Sequence, residues 1–406
     1  MEKKIFDVIV WGSTGFTGKL VTEYLIKKYG LGQNLKWAIA GRNKEKLEQI
    51  KKEFSKPNLP FLVADANDLK SLEKMASQTK VICSTVGPYA KYGTDLVEVC
   101  IKNGTHYCDL AGEVQWIRKI IDTYHKKAET KKIKIVNSCG FDSIPSDLGV
   151  YYIQKELSKS NSTRGKRIEM RVAGAKGGIS GGTYASLSNV RKEASMDKNI
   201  YKTLMNPYGL NPIGKMLGPD KPDLKTILHD KCSDNWIAPF VMASINTKIV
   251  RRSNALTNFE YGKDFFYSEA TLCGTGNLGK IKAYLVSFPL LILAMAKPGS
   301  FLKKIIDLIL PSPGEGPSKQ NREAGFFNFR FYVDTENGKK RVAKVTGDMD
   351  PGYGSTSKMI AESAVCLAKD SLPEFGGVLT PSVAMGNHIL NRLRKNAGLT
   401  FNLKKT

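Results

Sequence analysis

Three glycines at a three-residue repeat, in Gly12-Ser13-Thr14-Gly15-Phe16-Thr17-Gly18, stand between the β-rich run Ile5–Val10 and a helical pattern over Lys19–Tyr29. No other feature of the chain limits its fold so strongly. Glycine lets the backbone turn sharply and approach a pyrophosphate, and the following helix start offers unpaired N–H groups and a positive dipole end. The strand and helix lie where that mechanism needs them, so the loop predicts a dinucleotide site.

The same alternation continues. Strands are predicted at Lys36–Ala40, Leu59–Ala64, Val81–Thr85, His106–Leu110 and Ile133–Asn137, with helices at Lys44–Phe54, Thr94–Lys102 and Val114–Lys127. Six strands with intervening helices imply a parallel sheet, and right-handed crossovers make the doubly wound α/β fold the economical topology. Its ligands bind beyond the carboxyl ends of the strands.

From about Phe141 the rhythm changes. A strand over Arg167–Ala175, a helix over Thr183–Ala194 and a proline- and glycine-rich stretch over residues 205 to 240 precede a hairpin, Phe326–Val333 and Lys340–Val345 around Asn337-Gly338. Helical patterns follow at Gly352–Ala368 and Met385–Arg394. The second domain is expected to be α+β with an antiparallel sheet. The expected division is 1–145 for the dinucleotide domain, 146–370 for a substrate or interface domain, and 371–406 for a segment that packs back on the first.

With 41% hydrophobic and 25% charged residues, the chain excludes wholesale disorder and a polytopic membrane protein. Its 62 basic and 38 acidic residues give +24, yet the lysines form no aromatic-interleaved stripe, so no nucleic acid is expected. An anionic membrane surface or an acidic ligand stays open. Seven cysteines without paired metal spacing indicate reduced thiols and no metal. The apolar run at the start is too short for a signal peptide, and a cytoplasmic protein is expected. A homodimer is compatible with this reading.

Cofactor preference is set at the end of the second strand, Ala40-Gly41-Arg42-Asn43, where no carboxylate stands to hold a ribose hydroxyl. Arg42 can grip a ribose 2′-phosphate, so NADP is expected over NAD. Asp65 is placed either to accept from the adenine amino group or to cap a helix near Leu69. Thr85, Val86, Gly87 and Pro88 follow the fourth strand, where small residues permit close approach of the nicotinamide ribose.

The glycine loop, Ala40-Gly41-Arg42, Val86-Gly87-Pro88-Tyr89 with Tyr92-Gly93, His106 to Glu113 and Gly140 to Asp147 together resemble the saccharopine dehydrogenase-like oxidoreductases. The similarity is closest to the trans-acting enoyl reductase branch. It continues through Pro313 to Pro317, Gly352-Tyr353-Gly354 and Gly376 to Pro381, nearly the whole chain. What the resemblance implies is a Rossmann domain, a second α/β domain, and NADP-linked reduction of an acyl-type substrate. No arginine clamp for an amino-acid carboxylate is identified, so the amino-acid reaction is not expected.

Reduction of a C=C bond requires hydride on one carbon, a proton for the other, and a donor to polarise the conjugated carbonyl. Tyr89 is the first candidate donor, with Asp109 and Asp142 on neighbouring loops; Cys139 and His106 are expected to be buried and neutral. Ser138, Tyr151 and Lys155 reproduce the spacing of short-chain dehydrogenases and give a second reading, a carbonyl reductase. A third is a nucleotide-binding, membrane-associated protein without turnover. The uncharged run Ala283–Ala296, flanked by Lys280, Lys282 and Lys297, is too short to span a bilayer. It reads as a buried helix or, with amphipathic Phe301–Leu310, as an interfacial element that guides an acyl substrate.

Overall fold

The computed structural model describes residues 4–32, 34–161, 163–177, 181–295, 300 and 316–404. The expected element Phe301–Leu310 and residues 313–315 lie outside them. Two seven-stranded sheets organise the described residues.

The first sheet contains β1 (Phe6–Trp11), β2 (Trp37–Gly41), β3 (Phe61–Val63), β4 (Thr79–Ser84), β5 (His106–Asp109), β6 (Lys134–Val136) and β13 (Gly377–Leu379). Its order is β13-β6-β5-β4-β1-β2-β3 and every pair is parallel. Both faces are covered, which is why the strands read as continuous apolar runs. Val8 and Val10 of β1 join one core cluster, and Ile9 and Trp11 join the other. The glycine loop leads into α1 (Phe16–Tyr29). The remaining connections carry α2 (Lys44–Glu53), α3 (Leu69–Ser77), the single turn α4 (Tyr89–Tyr92), α5 (Thr94–Lys102) and α6 (Val114–Thr130).

Beyond β6 comes a buried helix, α7 (Ile144–Asn161), for which periodicity gave no signal. The second sheet then forms from β7 (Gly165–Lys176), β8 (Leu228–Asp230), β9 (Asn235–Ala238), β10 (Phe266–Gly274), β11 (Phe326–Thr335), β12 (Lys340–Gly347) and β14 (Thr400–Lys404). Its order is β14-β12-β11-β7-β10-β9-β8. All its junctions are antiparallel except β7 with β10, so the sheet is mixed. The hairpin β11–β12 turns through Asn337 and Gly338, whose φ of 76° suits glycine.

Between and beyond these strands run α8 (Gly181–Met196), α9 (Lys198–Met205), α10 (Ala243–Leu256), α11 (Gly276–Met295), α12 (Lys319–Glu323), α13 (Thr356–Lys369) and α14 (Pro381–Asn396). Helix α13 follows a π-helical turn at Pro351–Ser355 and packs against the first sheet, to which β13 then adds the edge strand beside β6. After α14 the chain returns to the second sheet as β14 beside β12. A single core cluster runs from Val8 and Val81 through Leu148 and Met359 to Phe329 and Val345, so the two sheets share one apolar interior.

Candidate active site

The glycine loop has the backbone that its sequence demands. Gly12 has φ of 91°, and a Cβ there would lie 2.6 Å from the Val86 side chain and 2.8 Å from Thr85 Oγ1. A Cβ on Gly18 would sit 2.1 Å from the Gly12 carbonyl oxygen, so only glycine lets α1 start this close to the turn. Ser13 Oγ donates to the Val10 carbonyl (2.7 Å), and Thr85 Oγ1 donates to that of Trp11 (3.0 Å). The first closes the turn after β1, and the second ties the ends of β1 and β4 together.

Gly15 caps α1 without a side chain, and no acidic residue stands in the first turn. The opening N–H groups and the dipole are therefore left for an anion. This cradle, closed to any Cβ at two points, fits the diphosphate of a dinucleotide, with Ser13, Thr14, Phe16 and Thr17 around it.

Arg42 is exposed in the short connection between β2 and α2, where Asn43 caps α2 by accepting from the Lys46 N–H at 2.7 Å. No carboxylate lies in that connection, so the position fits a ribose 2′-phosphate. Asp65 accepts from the Asn67 N–H (2.9 Å) in a local turn, while Asp68 is the residue that caps α3.

Beyond the loop lies a cavity of about 290 Å³ between the two sheets. Thr17, Thr85 and Gly87 line it from the cofactor side, and Phe141 and Asp142 reach it from the turn after β6. Ser186 and Val190 of α8, Phe240 and Met242 before α10, and Gly352 and Thr356 complete the wall. The lining is chiefly apolar, and among the described residues Asp142 is its one carboxyl group. Burial, reinforced by the charge of Asp109, pushes the Asp142 carboxyl up to about 7, although its own backbone N–H favours the ionised form. An acid of that strength can hold a proton at neutral pH and release it.

The other expected candidates have different surroundings. Tyr89 lines the cavity with its ring, stacked on Trp116 at 5.6 Å, but its hydroxyl donates to the Ser84 carbonyl and accepts from the Leu110 N–H. Asp109 is fully buried. One of its oxygens accepts from Asn137 Nδ2 (2.8 Å), the other from the Ala111 N–H (3.0 Å) and Ser138 N–H (3.1 Å). Ser138 has φ of 61°, unusual for a serine, and its Oγ donates to the Ala111 carbonyl at 2.6 Å. Asp109 thus braces the strained turn that delivers Asp142.

The short-chain arrangement is not assembled. The Ser138 hydroxyl is engaged as described, Lys155 Nζ lies over the Tyr151 ring at 5.7 Å, and none of the three lines the cavity. His106 is held down to about 4 by burial and accepts from the Lys134 N–H. Burial raises the Cys139 thiol.

Three features went unread in the sequence. Glu113, buried, accepts from the Tyr89 N–H (2.8 Å), the Ala90 N–H (3.0 Å) and Ser186 Oγ (3.0 Å), and so hangs α8 on the first sheet above the cavity. Phe240 to Ser244 and Thr356 are the others; Thr356 Oγ1 accepts from the Phe141 N–H at 3.0 Å. None of these is a local pattern: Glu113 reaches the start of α4 from 24 residues away, and Thr356 reaches Phe141 from 215.

A larger cavity, about 530 Å³, lies on the second sheet and includes no residue of the cofactor side. Glu169, Asp230 and Cys232 converge there. Arg171 grips both oxygens of Asp230, at 2.9 and 3.0 Å, and Glu169 at 3.0 Å, so the carboxylates already have their counter-charge.

A family model described as the saccharopine dehydrogenase NADP binding domain matches residues 8–136. The chain is 36% identical, over a 414-residue alignment, to a protein of Mycobacterium tuberculosis named trans-acting enoyl reductase, with 96% of this chain and 95% of that one covered. A protein of the same name from Mycobacterium ulcerans is 35% identical over 405 residues, with the same coverage. A second Mycobacterium tuberculosis protein, provisionally assigned as a trans-acting enoyl reductase, is 38% identical over 402 residues, again 96% and 95% of the two chains. Among solved structures, the apo saccharopine dehydrogenase (L-Glu forming) of Saccharomyces cerevisiae superposes with a TM-score of 0.55 at 12% identity, covering 98% of this chain and 99% of that one. At that identity the likeness is one of fold.

Proposed function

Because the chain belongs to the saccharopine dehydrogenase-like oxidoreductases, in the trans-acting enoyl reductase branch, and carries that family's NADP-binding domain, we propose that it reduces the C=C bond of an unsaturated acyl or polyketide-derived substrate. The observation that carries this reading is the chiefly apolar cavity beside the glycine loop, lined by the carboxyl group of Asp142, whose acidity is shifted to about 7. An amino-acid substrate would need a cationic partner for its carboxylate, and among the described residues no Lys or Arg lines that cavity.

Gly12 to Gly18 would hold the diphosphate at the start of α1, and Arg42 would take the 2′-phosphate. When bound, the reduced nicotinamide supplies a hydride to one carbon of the double bond. Asp142 carries a proton within the cavity and gives it to the other carbon, so the double bond becomes a single bond; solvent then reprotonates the carboxylate. Phe141, Val190, Phe240 and Met242 seat the acyl chain and keep water from the reacting carbons. Asp109 and Ser138 hold the turn that aims Asp142, and Glu113 holds Ser186 at the rim. Tyr89, with its hydroxyl on two backbone groups, supports the wall rather than donating.

The test is NADPH oxidation by the purified protein with a panel of enoyl thioesters of increasing chain length. Turnover that improves with chain length supports the reading. Tight NADPH binding with no oxidation of any substrate would sink it in favour of a nucleotide-binding protein without catalysis.

A further inference from the structure

Helix α11 presents an apolar face to solvent. Leu278, Ile281, Leu285 and Phe288 recur at steps of three and four residues and are 82%, 56%, 68% and 60% exposed, with Tyr284 and Leu291 beside them. A stripe of this kind normally faces a core. Here the core side of the helix is the opposite one, where Ala283 and Val286 meet Trp236, Ala238 and Cys273.

We propose that this face docks the protein on an anionic lipid surface. Lys280 and Lys282 are exposed on the same helix, α11 contains no acidic residue, and the whole chain carries +24. The charge therefore complements anionic headgroups, while the aliphatic and phenyl side chains enter the acyl boundary below them. Apart from the Tyr284 hydroxyl, the stripe has no directional hydrogen-bonding group, which suits a fluid apolar phase better than a specific protein partner. Among the described residues no helix is long and apolar enough to cross a membrane, so α11 lies on the surface rather than through it.

The position is useful for an acyl substrate. Helix α11 packs on β9, and β9 runs directly into Phe240 to Met242 of the cavity wall. Docking does not depend on the reaction proposed above; it stands on the helix face alone.

Vesicle flotation tests it, with vesicles of phosphatidylcholine alone and mixed with phosphatidylglycerol. The wild-type protein is expected to float with the mixed vesicles and much less with the neutral ones. Leu285→Glu with Phe288→Glu should weaken binding about a hundredfold or more. Lys280→Glu with Lys282→Glu should lose at least about tenfold, chiefly the preference for phosphatidylglycerol. NADPH binding and the thermal unfolding midpoint should stay unchanged in both; if the double glutamate variant unfolds, Ile281→Ser serves in its place. No flotation of the wild type, or flotation untouched by these substitutions, overturns the proposal. A wild-type dimer that Leu285→Glu with Phe288→Glu converts to monomer would do the same, by giving the face to a second copy.

Discussion

The role proposed for Asp142 rests on its surroundings: an aspartate on the turn after β6 becomes an acid matched to neutral pH because desolvation disfavours its charged form. Asp142→Asn should lower kcat by about 10²–10⁴ while leaving NADPH affinity intact, because it removes a proton donor and little else. Its thermal midpoint should hold or rise, since a desolvated ionisable group has been replaced by a neutral one of the same shape. In the wild type the rate should fall as pH rises through about 7, where the carboxyl loses its proton, and a rate profile from pH 5 to 9 checks this. A rate unaffected by Asp142→Asn would return the search to water or substrate. Arg42 belongs to the same scale. Arg42→Ala should weaken NADPH by about 10–100-fold, the worth of a charge-assisted contact, and leave NADH nearly unchanged. Fluorescence titration of both nucleotides decides it: equal losses for the two would mean that Arg42 does not read the 2′-phosphate.

Helices hold one another here through single buried acids. Glu362 of α13 is fully buried, and it accepts from the hydroxyls of Tyr24 (2.6 Å) and Tyr29 (2.7 Å) of α1 and pairs with Arg392 of α14 at 3.3 Å. Asn396 Nδ2 adds a fourth partner at 3.2 Å. One carboxylate thus fastens α1 to two helices at the other end of the chain. Glu362→Ala would leave Arg392 with Asp370 and the Tyr29 hydroxyl, and the Tyr24 hydroxyl with the Asn396 carbonyl at 3.2 Å, and the loss of the shared buried acceptor should cost about 3–5 kcal/mol in urea unfolding. Glu362→Gln keeps the shape and some of the bonds and should cost less; equal stability of Glu362→Ala and wild type would refute the fastening role. Glu113 acts in the same way between α4 and α8, at the rim of the cavity.

At the scale of the whole molecule, the acid group Asp147 joins α7, α10 and α14: it accepts from Ser253 Oγ at 2.5 Å and from the Ser382 N–H at 2.8 Å. Burial raises it from 3.8 to about 6, so the folded protein binds this proton more tightly than the unfolded chain. Its contribution to stability is then complete below about pH 4 and is lost as pH rises through about 6. Asp147→Asn should flatten that part of the stability curve, read by urea unfolding at pH 4, 5, 6 and 7; an unchanged slope would mean that the shift is absent. Much of this molecule was legible in one dimension. Glycine spacing between a strand and a helix is a local steric demand, and the six strands of the first sheet alternate with helices at local periods, so the doubly wound fold, the dinucleotide loop and the Asn337-Gly338 hairpin could be read directly. The absent carboxylate beside Arg42 is local too. The seventh strand, β13, is three residues long and exists only because β6 offers it an edge. Helix α7 is buried among several elements and so shows no apolar stripe, and the parallel pairing of β7 with β10 joins strands about a hundred residues apart. The cavity, the raised acidity of Asp142 and the open face of α11 all depend on which surfaces meet. Local sterics and periodicity are written residue by residue, whereas desolvation and exposure come into being only when distant segments close around a side chain or fail to.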